Sequence, residues 1–306
     1  MAAESRKVII AALIGNLMIA ITKFVAAAYT GSSAMFSEAI HSVVDTGNQV
    51  MMLYGLKRAS LPADKHFPFG HGKEIYFWSF VVAIMIFGVG SGISIYEGIH
   101  SLQKPQPLES PIINYIVLSL AIVFEGAAWI FAWKAFSRQR GRLGLIEAVQ
   151  KGKDPSLFVV LFEDSAAMTG LLVALIGIAL TDITGNPVFD SIASLLIGLI
   201  LALTAAWLAY ETKGLLIGES ADPEVVRGIQ KMAMSYREIR HINDVLTMHM
   251  GPDYVLVNLS VEFKDSADAD EIEDTVAQLD RAIKKRFSNV KRVFIEAEAR
   301  RFRLAT

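Results

Sequence analysis

The chain contains no cysteine. Disulfides and thiolate metal sites are therefore excluded, and any metal must be held by histidine, carboxylate, amide or water. No GxxxxGK[ST] stretch is present, so ATP drive within the chain is not expected. HExxH is also absent and no Ser/His/Asp set is evident, so nothing marks an enzyme. The net charge is -2, which gives no global pull toward nucleic acid. Charged residues are scarce, at 20% against 53% hydrophobic, and mean hydropathy is +0.42. Only the membrane class fits that balance, because the apolar runs reach the ~20 residues that span a bilayer. There is no tandem repeat and no low-complexity tract.

What is present is six apolar segments, roughly 8–29, 34–56, 77–99, 112–134, 157–181 and 187–209. The first is too long for a signal peptide and lacks a clear small-residue cleavage site. The connections YTGSS and TDITGNP carry no basic residue, and HSLQKPQPLESP carries one lysine. The other side holds Arg6 and Lys7, then Lys57, Arg58, Lys65 and Lys73. It also holds Lys134, Arg138, Arg140, Arg142, Lys151 and Lys153. The positive-inside rule then places both termini and the two basic loops in the cytoplasm.

After about residue 212 charge rises and the apolar runs shorten. PEVVRGIQKMAMSYREI has helical spacing with a proline near its start. VLTMHMGPDYVLVNLSVEF reads as two strands around a Gly-Pro turn. DADEIEDTVAQLDRAIKKRF is an amphipathic helix, acidic at its start and basic at its end, as the helix dipole favours. VKRVFIEAEAR is a last strand. The expectation is an α-helical integral membrane protein of two domains. Residues 1–212 carry six transmembrane helices, and 213–306 form a small ferredoxin-like α+β cytoplasmic domain.

The residues that could carry chemistry lie inside the apolar segments. SEAIHSVVDTGNQ places Glu38, His41, Asp45 and Asn48 at i, i+3, i+7 and i+10, one polar stripe on a helix. Ionisable groups at membrane depth cost about 2.5–3.5 kcal/mol each on insertion scales. A chain that keeps several on one stripe is expected to bind or move something charged. In segment five Glu163 and Asp164 are adjacent carboxylates that will not both stay charged without a cation or a proton. With segments two and five side by side, His41, Asp45 and Asp164 form a candidate metal site, with Glu163 close by. One imidazole and two or three carboxylates suit Zn²⁺, with Mn²⁺, Fe²⁺ or Co²⁺ as alternatives. Ca²⁺ fits less well, since it takes six or more oxygens.

GNLMIAITKFVAAAYTGSSAMFSEAIHSVVDTGNQ, FGHGK, ISIYEGIHSLQKP and NPVFDSIASLLIGLIL together resemble the cation diffusion facilitator family. The resemblance covers all six segments, and HxxxD at 41–45 with FGHGK at 69–73 is its most specific part. It implies a homodimer that exchanges a divalent metal for protons. Access would alternate around a tetrahedral site between helices two and five, and the cytoplasmic domains would dimerise. The family usually carries HxxxD or DxxxD on helix five as well. Here Val160 stands four before Asp164, which leaves the fourth ligand open among Glu163, water and nothing. The first basic loop reads HFPFGHG where many members read HPFGHG. Asp64, His66 and His71 make a candidate second metal site there. The tail has only His241 and His249, with Glu296 and Glu298 on its last strand, so dimerisation without metal is expected.

Lys23 is a candidate structural ion-pair partner of Glu38. Glu125 is a candidate proton site or a second partner of Lys23. Asn48 shares the stripe. Gly88, Gly90 and Gly92 are expected to permit close helix contact. The leading function is export of a divalent cation, Zn²⁺ first, in exchange for H⁺, because metal and protons compete for the same groups. A membrane metal sensor or scaffold without net transport is the alternative. The metal is cargo and no cofactor is expected. Membrane lipid is a partner and nucleic acid is not.

Overall fold

The computed structural model describes the backbone of residues 2–300 except 106, 109, 142 and 143. It describes the side chains of that range except 2–12, 14, 15, 139, 150 and 151. Of the basic residues behind the expected orientation, Arg6, Lys7, Arg142 and Lys151 lie outside the described side chains.

Two compact units result, residues 1–57 with 75–213 and residues 58–74 with 214–306. The first is helical. Helix α1 spans Ala2–Thr30 and α2 spans Ser33–Ala59. Helix α3, Glu74–Met85, runs through a π-helical turn at Ile86–Ser91 into α4, Gly92–Gln103. Then follow α5, Pro111–Arg140, a short α6, Leu145–Lys151, and the long helices α7, Pro155–Thr184, and α8, Val188–Ile217. Helix α6 falls in the basic connection that the sequence reading treats as loop.

Local chemistry sets the ends. Asp154 caps α7, accepting from Ser156 N at 3.0 Å with Pro155 at the first helical position. Gly185 closes α7 at φ +68° and donates its N–H to Thr181 O at 2.9 Å. That left-handed conformation suits glycine. The start of α2 is capped from another helix. Asp190 of α8 accepts from Ser32 Oγ at 2.7 Å and from Ser33 N at 2.6 Å. A carboxylate at a helix N-terminus satisfies its free N–H groups and its dipole together.

Among the described residues, four stretches are long and apolar enough to cross a membrane: Glu74–Gln103, Pro111–Arg138, Pro155–Thr184 and Val188–Ile217. The described apolar part of α1, Asn16–Thr30, is shorter than a span. Helix α2 buries Ser37, Glu38, His41, Ser42 and Asn48, and this polar stripe lowers its hydropathy. Gly88, Gly90 and Gly92 fall in or beside the π-helical turn. A tight helix contact of this stretch sits at Gly98, where an added Cβ would meet Leu195 Cγ at 2.7 Å.

The second unit carries α9, Pro223–Ala233, strands β1, Ile239–Gly251, and β2, Tyr254–Phe263, helix α10, Ala269–Arg286, and β3, Val290–Ala297. The strand order is β1-β2-β3, with β1/β2 antiparallel and β2/β3 parallel. Helix α10 makes the crossover that a parallel pair requires. Asp268 and Glu271 form a reciprocal capping box at its start, and Lys284, Lys285 and Arg286 fill its last turn. Strand β1 begins at Ile239, six residues before the expected start, because α9 already ends at Ala233. Val255, Val257, Leu259 and Val261 point from β2 into a core with Ile229, Leu279 and Ile283.

Candidate metal centre

The stripe on α2 divides by depth. Glu38, His41 and Asn48 are buried, and Asp45 keeps 16% side-chain exposure. His41 Nε2 stands 3.4 Å from Asp45 Oδ2, one helical turn away. Neither His41 ring nitrogen has a hydrogen-bond partner. From α7, Glu163 comes within hydrogen-bonding reach of Asp45 and accepts from Asn48 Nδ2 at 2.6 Å. Asp45 and Asn48 therefore tie α2 to α7 through one carboxylate.

A second polar cluster adjoins the first. The Lys23 ammonium donates to Glu38 Oε2 at 3.1 Å, Ser42 Oγ at 2.9 Å and Glu125 Oε1 at 2.9 Å. All three of its protons are thereby used. The pairing joins α1, α2 and α5 at one buried point. Gly170 of α7 makes room for it, since a Cβ there would strike Glu38 Oε1.

Between these helices lies a cavity of about 500 Å³. Asp45, Asp164, Glu125, Asn16, Ser42 and Gln49 line its polar side, and Val160 is among its apolar residues. His41 and Glu163 are not among its lining residues. The structure thus brings Asp45 and Asp164 to one space and leaves His41 and Glu163 packed behind Asp45. Among the described residues, no three His, Asp or Glu side chains are grouped as an ion-holding set. Asp45 Oδ1, Gln49 Oε1, Asn48 Oδ1 and Glu125 Oε2 are buried without hydrogen-bond partners. Such atoms cost about 1–3 kcal/mol each unless something pairs with them. An interior of acceptors and few donors is chemically suited to a cation.

Sequence reasoning passed over Asn16, Ser42 and Gln49. The signal was present: Ser42 and Gln49 each lie one turn beyond Glu38 and Asp45, and Asn16 lies two turns before Lys23.

In the first basic loop Asp64 Oδ1 accepts from His66 N at 2.7 Å and Phe67 N at 2.8 Å. Its Oδ2 stands 3.0 Å from His71 Nε2. The Phe67 backbone N–H and then the His71 ring hold the Asp64 carboxyl below the ordinary carboxylate value. His71 is buried, whereas the His66 ring is exposed and only its backbone reaches Asp64. In the tail His241 and His249 sit apart on β1, paired across the ladder with Glu262 and Val255. Glu298 accepts from Ser260 Oγ at 2.7 Å, and Glu296 is exposed.

Residues 9–217 match the cation efflux transmembrane domain family. The chain is 37% identical to the proton-coupled zinc antiporter SLC30A9, mitochondrial, of Mus musculus, over 84% of this chain and 46% of that protein. It is 27% identical to metal tolerance protein C4 of Arabidopsis thaliana, over 85% of this chain and 57% of that protein. The chain spans about half the length of these two relatives. It is 24% identical to the manganese efflux system protein MneP of Bacillus subtilis (strain 168), over 95% of this chain and 95% of that protein. A match over residues 9–217, with membrane-capable helices around a carboxylate-lined cavity, makes this integral membrane protein a member of the cation diffusion facilitator family, whose members are transporters and not enzymes.

Proposed function

We propose that the chain is a secondary transporter that exports a divalent metal cation from the cytoplasm in exchange for protons. Zn²⁺ is the first candidate, with Mn²⁺, Fe²⁺ and Co²⁺ as alternatives. One observation carries the reading: Asp45 of α2 and Asp164 of α7, carboxylates on separate helices, line one cavity inside the helical unit. Two carboxylates facing one space favour a cation between them. His41, 3.4 Å from Asp45, and Glu163, at the same carboxylate, are the further ligands.

Coordination of the cation requires these groups in their deprotonated forms, so proton binding and metal binding exclude each other. A gradient of one ion then drives the other. The names of the relatives, a zinc antiporter and a manganese efflux protein, support the reaction class and agree with either metal. The reading includes six membrane helices, α1 and α2 among them, with both termini in the cytoplasm. It also includes a ferredoxin-like cytoplasmic domain from about residue 213, and a homodimer.

The test is uptake into proteoliposomes of the full chain with an imposed pH gradient. Metal accumulates with the gradient and stops when an ionophore collapses it. Saturable binding with no gradient-dependent uptake would refute transport and favour a sensor or scaffold.

A further inference from the structure

We propose that Glu125 is a further cation-binding residue of the membrane cavity, its Oε2 meeting a divalent cation held by Asp45 and Asp164 while Lys23 retains its Oε1. This rests on the cation-site reading above.

Glu125 enters from α5, outside the stripe of α2 and the carboxylate pair of α7. It lines the same cavity as Asp45 and Asp164. Its two oxygens are not equivalent. Oε1 accepts from Lys23 Nζ at 2.9 Å, whereas Oε2 is buried and has no hydrogen-bond partner. A carboxylate clamped at one oxygen loses most of its rotational freedom. Its other oxygen can only accept, from a cation or a proton donor.

The α7 residues of the cavity leave a ligand position unfilled. Val160 lies one turn before Asp164 and lines the same cavity without a lone pair to offer. Charge points the same way. Glu38, Asp45, Glu125, Glu163 and Asp164 adjoin one another in this interior, and among the described residues Lys23 is the ammonium paired with them. Lys23 is shared between Glu38 and Glu125 and cannot neutralise both. The surplus is negative and suits a divalent ion.

The donor chemistry also bears on which ion. Adding Glu125 to Asp45 and Asp164 makes a carboxylate-rich set, with the His41 imidazole set back from the cavity. Carboxylate oxygen suits the harder Mn²⁺, and imidazole suits Zn²⁺. Glu125 therefore supports Mn²⁺ binding more than Zn²⁺ binding.

The experiment is calorimetric titration of the full-length protein in detergent, stripped of metal, with Mn²⁺ and with Zn²⁺. Wild type is compared with Asp45→Ala, Glu125→Gln, Glu125→Asp and Lys23→Gln. Glu125→Gln weakens Mn²⁺ binding at least about tenfold, the scale on which loss of even an outer-shell partner weakens a metal site. It weakens Zn²⁺ binding less. Its thermal stability changes little, because the amide oxygen still accepts from Lys23. Glu125→Asp keeps the charge on a shorter arm and recovers part of the loss. Lys23→Gln removes a competing cation, so it tightens binding while lowering thermal stability. Wild-type Mn²⁺ affinity in Glu125→Gln, with binding abolished in Asp45→Ala, would make Glu125 a partner of Lys23 alone and overturn the proposal. Parallel loss of stability and affinity in Glu125→Gln and Lys23→Gln, or no recovery in Glu125→Asp, would overturn it too. Intact binding in Asp45→Ala would instead sink the cation-site reading itself, and this proposal with it.

Discussion

In the C-terminal unit Val255, Val257, Leu259 and Val261 of β2 are fully buried with Leu279 and Ile283 of α10. In the helical unit Lys23, Glu38, His41 and Asn48 are buried alongside apolar residues, and Ile183, Phe131 and Tyr210 are among the most exposed. The contrast follows from two solvents. Water drives apolar side chains inward, and burial of each is worth about 1.5–3 kcal/mol. Lipid exerts no such drive, since its tails are as apolar as leucine, so close packing and polar contacts hold the helices together. The central cluster of the C-terminal unit is apolar. In the helical unit the polar interior is where the proposed cation site lies.

The contrast can be pressed with substitutions in each unit. The largest effect falls on function in the helical unit. Asp45→Ala and Asp164→Ala each reduce gradient-driven metal uptake in proteoliposomes to background, while the protein stays monodisperse in detergent. Substantial uptake by either variant would remove that carboxylate from the site.

Next comes the buried ion cluster. Lys23→Met strands Glu38 and Glu125 and destabilises the helical unit by about 3–5 kcal/mol, the scale for removing one partner of a buried pair. Unfolding in detergent measures it. Adding Glu38→Gln and Glu125→Gln recovers most of the loss, because stranded charge and not lost volume is the cause. A triple variant as unstable as the single one would contradict this.

Leu259→Ala makes the comparison from the other side. It opens a cavity in an apolar cluster and costs about 2–5 kcal/mol. Hydrogen exchange in β2 accelerates, and metal affinity of the full chain is unchanged. A fall in metal affinity would mean that the core of the C-terminal unit also serves the site.

The smallest effect concerns the loop at 58–74, which groups with the C-terminal unit. The folded Asp64 carboxyl titrates below its unfolded value of about 3.9. Its stabilisation is therefore complete above that value and is lost as pH falls through the lowered folded value. Protection of the His66 and Phe67 amides, corrected for intrinsic exchange, should fall on acidification in the wild type. In Asp64→Asn it should be weaker and flat with pH. Equal profiles would show that the carboxylate does not order the turn.

Much of the fold could be read locally. Apolar length announces the long helices, and the caps at Asp154–Pro155 and Asp268–Glu271 involve only near neighbours. The spacing of Glu38, His41, Asp45 and Asn48 put them on one helix face for the same reason: helical period is a local property. The short α6 and the early start of β1 were harder to read. Neither has a strong period, and the strand is set by its ladder with β2.

The pairing of Lys23 with Glu38 and Glu125, over sequence separations of 15 and 102 residues, was one of several open choices until the helices packed. So was the capping of α2 by Asp190, 157 residues away at Ser33. Packing also decided that Asp45, Asp164 and Glu125 share a cavity while His41 stands behind them. The grouping of 58–74 with 214–306 is likewise tertiary. Periodicity and capping act within a few turns and are written in adjacent residues. Which face meets which, and which acceptor is left without a donor, depends on where distant helices come to rest.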